Sequence, residues 1–134
     1  MRYRINQVKV IDPASAWHRK VKDIVIENGL IQEASENDPP NTIIINGLGC
    51  EIMPGFCETY AYTGDPGHEY REDLTSVGAA AAAGGITNLC AIADNEPVTQ
   101  HKAHVEYLRS KTKGLPVEIW PIGAITEGLK GKNP

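Results

Sequence analysis

The feature that most constrains this chain is an ordered strand, helix, strand, helix, strand pattern between residues 53 and 122. After Pro54-Gly55, Asp73 or Thr75 is placed to open a helix with Leu74, Val77 and Ala81 on one face. Residues 79–83 are alanines that favour helix, and Gly84-Gly85 stops it, as glycine does just past a helix C-terminus. Residues 86–92 read as a buried strand. Thr99 is placed to cap a second helix reaching Ser110, with Val105 and Leu108 inward, and Gly114 ends that helix. Residues 115–122 make the third strand. Such alternation is the mark of parallel βαβ units, which cross over right-handed and carry functional loops at the carboxyl ends of their strands. The predicted class is therefore α/β.

The first fifty residues follow a different rule. Tyr3 and Ile5 alternate with polar neighbours, then Val8 and Val10 resume one position out of step, which predicts two strand pieces or a bulge. Residues 21–26 form a compact apolar run, followed by Asn28-Gly29 and then Leu30-Ile31. Asn-Gly between apolar runs predicts a hairpin, because both turn positions favour positive φ. A polar loop with Pro39-Pro40 leads to a short strand at Ile43-Ile44-Ile45. Residues 1–52 read as part of a small β-sandwich and residues 53–134 as the first three strands and two helices of a barrel. A closed (β/α)8 barrel takes typically about 250 residues. The expectation is thus a truncated front portion of something larger, the alternative being a complete small α/β domain.

Bulk properties exclude several classes. A chain of 134 residues with a formal net charge of −4 and no basic block does not suit nucleic acid or an anionic membrane surface. No apolar run approaches the roughly 20 residues that span a bilayer, and no apolar segment follows the N-terminal Met1-Arg2 as in a secretory signal. Three cysteines, Cys50, Cys57 and Cys90, lack C-x-x-C spacing, which disfavours a disulfide scaffold or zinc ribbon and fits a cytoplasmic home.

Several segments, taken in order, resemble the dihydroorotase family of cyclic amidohydrolases. Val10-Ile11-Asp12-Pro13 and residues 23–31 are similar to the entry strands of its β-sandwich, and Met53-Pro54-Gly55-Phe56 to its lead-in to barrel strand 1. Residues 65–73 resemble its (E/D)-P-G-x-E-x-K-E-D loop, residues 80–87 its A-A-A-G-G-x-T run, and residues 121–126 its third strand and exit. The resemblance implies the N-terminal part of a TIM-type (β/α)8 barrel preceded by a sandwich segment. It also implies a zinc-dependent hydrolase that interconverts dihydroorotate and carbamoyl aspartate in pyrimidine biosynthesis.

At the positions that matter, this sequence departs from the pattern. The family places an Asp, then H-x-H, then an Arg two residues on, so that two imidazoles at i and i+2 share one side of a strand and hold one metal. Here Glu58 takes the Asp position, Tyr60 and Tyr62 take the histidine positions and Gly64 takes the arginine position. A neutral phenol with a pKa near 10 is a poor zinc ligand, and glycine offers no guanidinium. In the loop after strand 2, Asp94 stands where the family has its substrate-binding asparagine, with Asn95 one residue further on. The resemblance therefore implies no catalysis and no bound metal on this chain, with Glu58, Asp65, His68 and Asn95 as a residual pocket. Tyr60 and Tyr62 are expected to fill the volume of the missing metal, their hydroxyls bonded nearby. His68 is expected to bond backbone, and His101 and His104 to lie on a solvated helix face.

Four functions follow from these residues. The first is a non-catalytic dihydroorotase homologue acting as a structural partner of aspartate carbamoyltransferase. The second is an active cyclic amidohydrolase with a shifted site completed by residues beyond this chain. The third is a module that binds a small cyclic amide, and the fourth a fragment with no function of its own. An incomplete barrel leaves strand edges and apolar faces uncovered, so self-association is also expected.

Overall fold

The computed structural model describes residues 1–35 and 37–132 of the chain. They gather into two compact units, Met1–Pro54 and Gly55–Pro134. In the first, strand β1 (Arg2–Val10) is central, and β2 (Val21–Glu27) pairs with it antiparallel. β3 (Leu30–Glu33) extends the sheet beyond β2, while β4 (Ile43–Asn46) and β5 (Glu51–Ile52) join β1 in parallel. The slip in hydrophobic alternation resolves as a bulge within one strand: the register with β2 shifts between Ile5 and Val8, and Gln7 takes φ 55°. Asp23 accepts the Gln7 amide at 2.9 Å and so holds the bulge in place. The shift turns Val8 and Val10 inward, where they pack with Ile24, Ile5, Trp17 and Ile52. Asn28 and Gly29 both adopt positive φ, 52° and 78°, closing the β2–β3 hairpin as the sequence predicts.

The second unit is a parallel sheet in the order β6-β7-β8, formed by Phe56–Ala61, Ile86–Ala91 and Glu118–Pro121. Helix α1 (Leu74–Ala83) links the first two strands and α2 (Lys102–Lys111) the last two. Asp73 caps α1 through a capping box: its carboxylate accepts the Thr75 and Ser76 amides at 2.8 Å each, and the Ser76 hydroxyl accepts the Asp73 amide. Gly84 closes the helix by donating to Ala80 and Ala81, and Gly85 turns the chain at φ 77°. Leu74, Val77 and Ala81 of α1 and Leu108 of α2 pack on Leu89, Ala91, Val117 and Ile119. Each leucine, valine or isoleucine side chain among these taken fully from water contributes roughly 1.5–3 kcal/mol.

Helix α2 departs from the sequence expectation at its start. His101 is the residue at its N-terminal cap, and no side chain bonds there. Thr99 is instead buried two residues upstream, its hydroxyl accepting from the Asn95 amide and its carbonyl from the Ala124 amide at 2.8 Å. Those bonds engage Thr99 with the loops, so it is unavailable as a cap. Regular pairing of β8 is also shorter than the 115–122 expected, beginning at Glu118, after Pro116. A prolyl nitrogen cannot donate to the ladder.

Candidate functional site

In parallel α/β sheets the loops at the carboxyl ends of the strands are where ligands bind. Here those loops are tied to one another by backbone. The Glu96 amide donates to the Pro66 carbonyl at 3.0 Å, joining the loops after β6 and β7. The Ala124 amide donates to Thr99, joining the loops after β7 and β8, and the Gly128 amide donates to the Gln100 side chain at 2.7 Å. Gly67 (φ 102°) lies so close to Glu96 that an added Cβ would overlap its carbonyl oxygen.

Tyr60 lies on β6 with 75% of its surface exposed. Its amide donates to the Glu58 carboxylate at 2.9 Å, a bond within the strand that occupies the half-buried Glu58 locally. So exposed a ring does not fill the interior, contrary to the volume-filling expectation. Tyr62 differs: its ring stacks on His68 with centroids 6.4 Å apart, and its hydroxyl oxygen is buried. No described group meets that hydroxyl in hydrogen-bonding geometry, so the expected bonding of the two phenols is absent. The His68 ring is held by stacking, since it also meets Tyr70 edge-on at 6.2 Å. The backbone bond made by His68 comes from its amide, which donates to Gly64 at 2.6 Å.

Gly64 is required by the path of the chain. It sits at φ 67°, and an added Cβ would overlap the Glu72 carbonyl oxygen. Asp65 is 3% exposed and faces α2: the Tyr107 hydroxyl donates to its carboxylate at 2.9 Å, and the Lys111 ammonium lies 3.8 Å away. Burial and the adjacent Asp65 raise the Tyr107 phenol above its ordinary value; Tyr107 and Asp65 in turn raise Lys111. Sequence reasoning missed these two partners. Their signal was the i, i+4 spacing that puts residues 107 and 111 on one helix face. Asp94 is exposed, whereas Asn95 is buried, donating to Thr99 at 3.3 Å with its carbonyl oxygen unpartnered. His104 is half-buried, its Nδ1 2.7 Å from the Val98 carbonyl oxygen, so it braces the loop and is not part of a solvated face.

The structure thus brings Tyr62 and His68 together, and Asp65 with Tyr107 and Lys111, but it does not gather Glu58, Asp65, His68 and Asn95 around one point through hydrogen bonds. A zinc ion does not fit the two tyrosines. The Tyr60 phenol projects into solvent and the Tyr62 hydroxyl is enclosed beside His68, so they do not form the paired imidazole-like donor set that zinc takes. Among the described residues, no group of three or more His, Cys, Asp or Glu is placed to hold a metal ion.

The fold aligns with two solved hydantoinases. A D-hydantoinase matches with TM-score 0.68 and 20% identity, over 96% of this chain and 29% of that one. The L-hydantoinase from Arthrobacter aurescens matches with TM-score 0.69 and 20% identity, over 92% and 28%. The architecture is that of the N-terminal part of an amidohydrolase. No protein-family model matches the chain. Among curated proteins, a dihydroorotase of Geobacter metallireducens is 38% identical over 127 residues, 92% of this chain and 30% of that protein. A dihydroorotase of Syntrophotalea carbinolica is 33% identical over 134 residues, 99% of this chain and 32% of that protein. The chain is thus similar in sequence to dihydroorotases over nearly all of its own length. The chain spans about a third of the length of these relatives. No helix of the described residues is long and apolar enough to cross a membrane.

Proposed function

We propose that this chain belongs to a dihydroorotase-like protein of pyrimidine biosynthesis that does not turn over the family's substrate. In this reading it is cytoplasmic, carries no zinc and serves as a structural partner of aspartate carbamoyltransferase. One observation carries the proposal. Tyr60, exposed on β6, and Tyr62, enclosed just past the end of that strand, stand where the resemblance puts the paired metal ligands, and Gly64, where it puts the arginine, has no room for a side chain. Loss of metal and carboxylate ligands together removes both the activated water and the substrate anchor on which the family's hydrolysis depends.

The test combines metal analysis with assays of dihydroorotate hydrolysis and of complex formation. The expected result is sub-stoichiometric zinc, no hydrolysis, and a shift to larger mass on mixing with aspartate carbamoyltransferase. Stoichiometric zinc with turnover would instead establish the second reading, an active cyclic amidohydrolase whose shifted site is completed outside these residues. That reading draws on the buried Asn95, whose unpartnered carbonyl oxygen lies one residue from the family's asparagine position. Absence of any mass shift would overturn the structural partnership even if the chain proves inactive.

A further inference from the structure

The start of α2 holds two imidazoles side by side. His101 stands at the N-terminal cap and His104 in the first turn, where the His104 amide donates to the His101 carbonyl at 3.0 Å. Their ring centres are 5.4 Å apart and their planes are inclined at 51°. Two imidazoles on one metal, at about 2.0–2.1 Å per bond, bring their ring centres to roughly 5 Å, so the spacing suits a shared ion. His101 is exposed and can close the small difference by rotating, whereas His104 is half-buried. Hydrogen bonds fix which ring nitrogens carry protons. The His104 Nδ1 lies 2.7 Å from the Val98 carbonyl oxygen, which has only lone pairs to offer, so the proton sits on Nδ1. The Gln100 backbone amide approaches the same nitrogen at 3.5 Å and is the weaker contact. Neutral His104 therefore keeps its lone pair on Nε2. A metal-ligating histidine characteristically donates its other ring nitrogen to a carbonyl in this manner. On the other ring, the Gln100 side-chain oxygen accepts the Gly128 amide at 2.7 Å, which leaves the Gln100 amide nitrogen facing His101 Nε2 at 3.4 Å. His101 Nε2 is thus the acceptor, its lone pair engaged only by a long contact that a metal ion can displace.

We propose that His101 and His104 bind a divalent copper ion through their Nε2 atoms, with water completing its coordination. The helix decides the choice of metal. A cation at the start of α2 opposes the helix dipole, so the site favours the divalent ion that binds imidazole most strongly. Cu²⁺ stands highest in the divalent order and takes a tetragonal set of nitrogen and oxygen ligands, which two imidazoles and water supply. Zinc sites call for three or four protein ligands, and no such group is found among the described residues. The site lies on α2 and uses neither Tyr60 nor Tyr62. It holds whether or not the protein hydrolyses anything and whatever its partner.

The probe is Cu²⁺ alone, titrated into the 134-residue chain, with electron paramagnetic resonance to count the nitrogens bound. A single equivalent should bind tightly and show the splitting of a pair of imidazole nitrogens. The chain carries two further histidines, His18 and His68, so variants assign the site. His101→Ala and His104→Ala should each weaken binding by at least about tenfold, as befits loss of a ligand, with circular dichroism unchanged. His18→Gln should bind as the parent does. A smaller loss in His101→Ala, a loss of that size in His18→Gln, or a parent spectrum with only one bound nitrogen would each overturn the site. His104 also braces Val98. Should His104→Ala fail to fold, His101→Ala still decides, because the exposed His101 ring gives up only its long contact with Gln100.

Discussion

Gly64 illustrates how one residue can be read two ways. By resemblance it stands where an arginine is expected; in three dimensions it is a crossing point where the backbone at φ 67° passes the Glu72 carbonyl. An arginine placed there would therefore meet backbone. Gly64→Arg is expected to destabilise the protein by about 2–4 kcal/mol, through left-handed strain and steric overlap together. Thermal denaturation checks this, and an unchanged Tm would show that the loop can move aside. Asp65 makes a second case. Its buried carboxylate depends on the Tyr107 hydroxyl, so Tyr107→Phe should cost about 1–2 kcal/mol in chemical denaturation. The ion pair with the half-exposed Lys111, at 3.8 Å, contributes less, because water screens it.

Among the elements, α1 was the most legible in the sequence. Asp73, the alanine run and Gly84-Gly85 carry start, middle and stop within a dozen residues, and the structure uses each as read. Helix α2 was legible in its inward Leu108 but not in its start, because Thr99 has an alternative use in the loops that only the folded chain supplies. The cap on α1 also sets a pH dependence. Asp73 is held below its ordinary value chiefly by the backbone amides at the start of the helix. Asp23 and Asp38 are held down first by Arg4. Because the folded values lie below the unfolded ones, the unfolded state binds more protons as acid is added. The stabilisation from these carboxylates is complete above about pH 4 and is lost as pH falls through the folded values. Tm measured from pH 6 downward should drop over that acid window. Arg4→Met should flatten the part due to Asp23 and Asp38, while Asp73→Ala should lower Tm by a few degrees near neutrality.

At the scale of the whole molecule, the N-terminal unit leaves its edge unprotected. β4 lies at the end of the strand order, and Ile43, Ile44 and Ile45 are all at least 40% exposed. An apolar edge strand of this kind is a template for pairing with another chain. Sedimentation or light scattering should therefore show concentration-dependent association, reduced by Ile44→Lys. A monomer mass at all concentrations in the unaltered chain would contradict this.

The sequence alone determined the parallel βαβ order, the Asn28-Gly29 hairpin and the first helix. These depend on periodicity, turn chemistry and residue type, which act locally and survive without knowledge of neighbours. Only the tertiary structure decided that the alternation slip is a bulge held by Asp23, that Asp65 reaches across to Tyr107, and that Tyr62, His68, Tyr70 and Arg71 stand together. Those relations arise from backbone paths that bring side chains together through space, and residue spacing along the chain does not encode them.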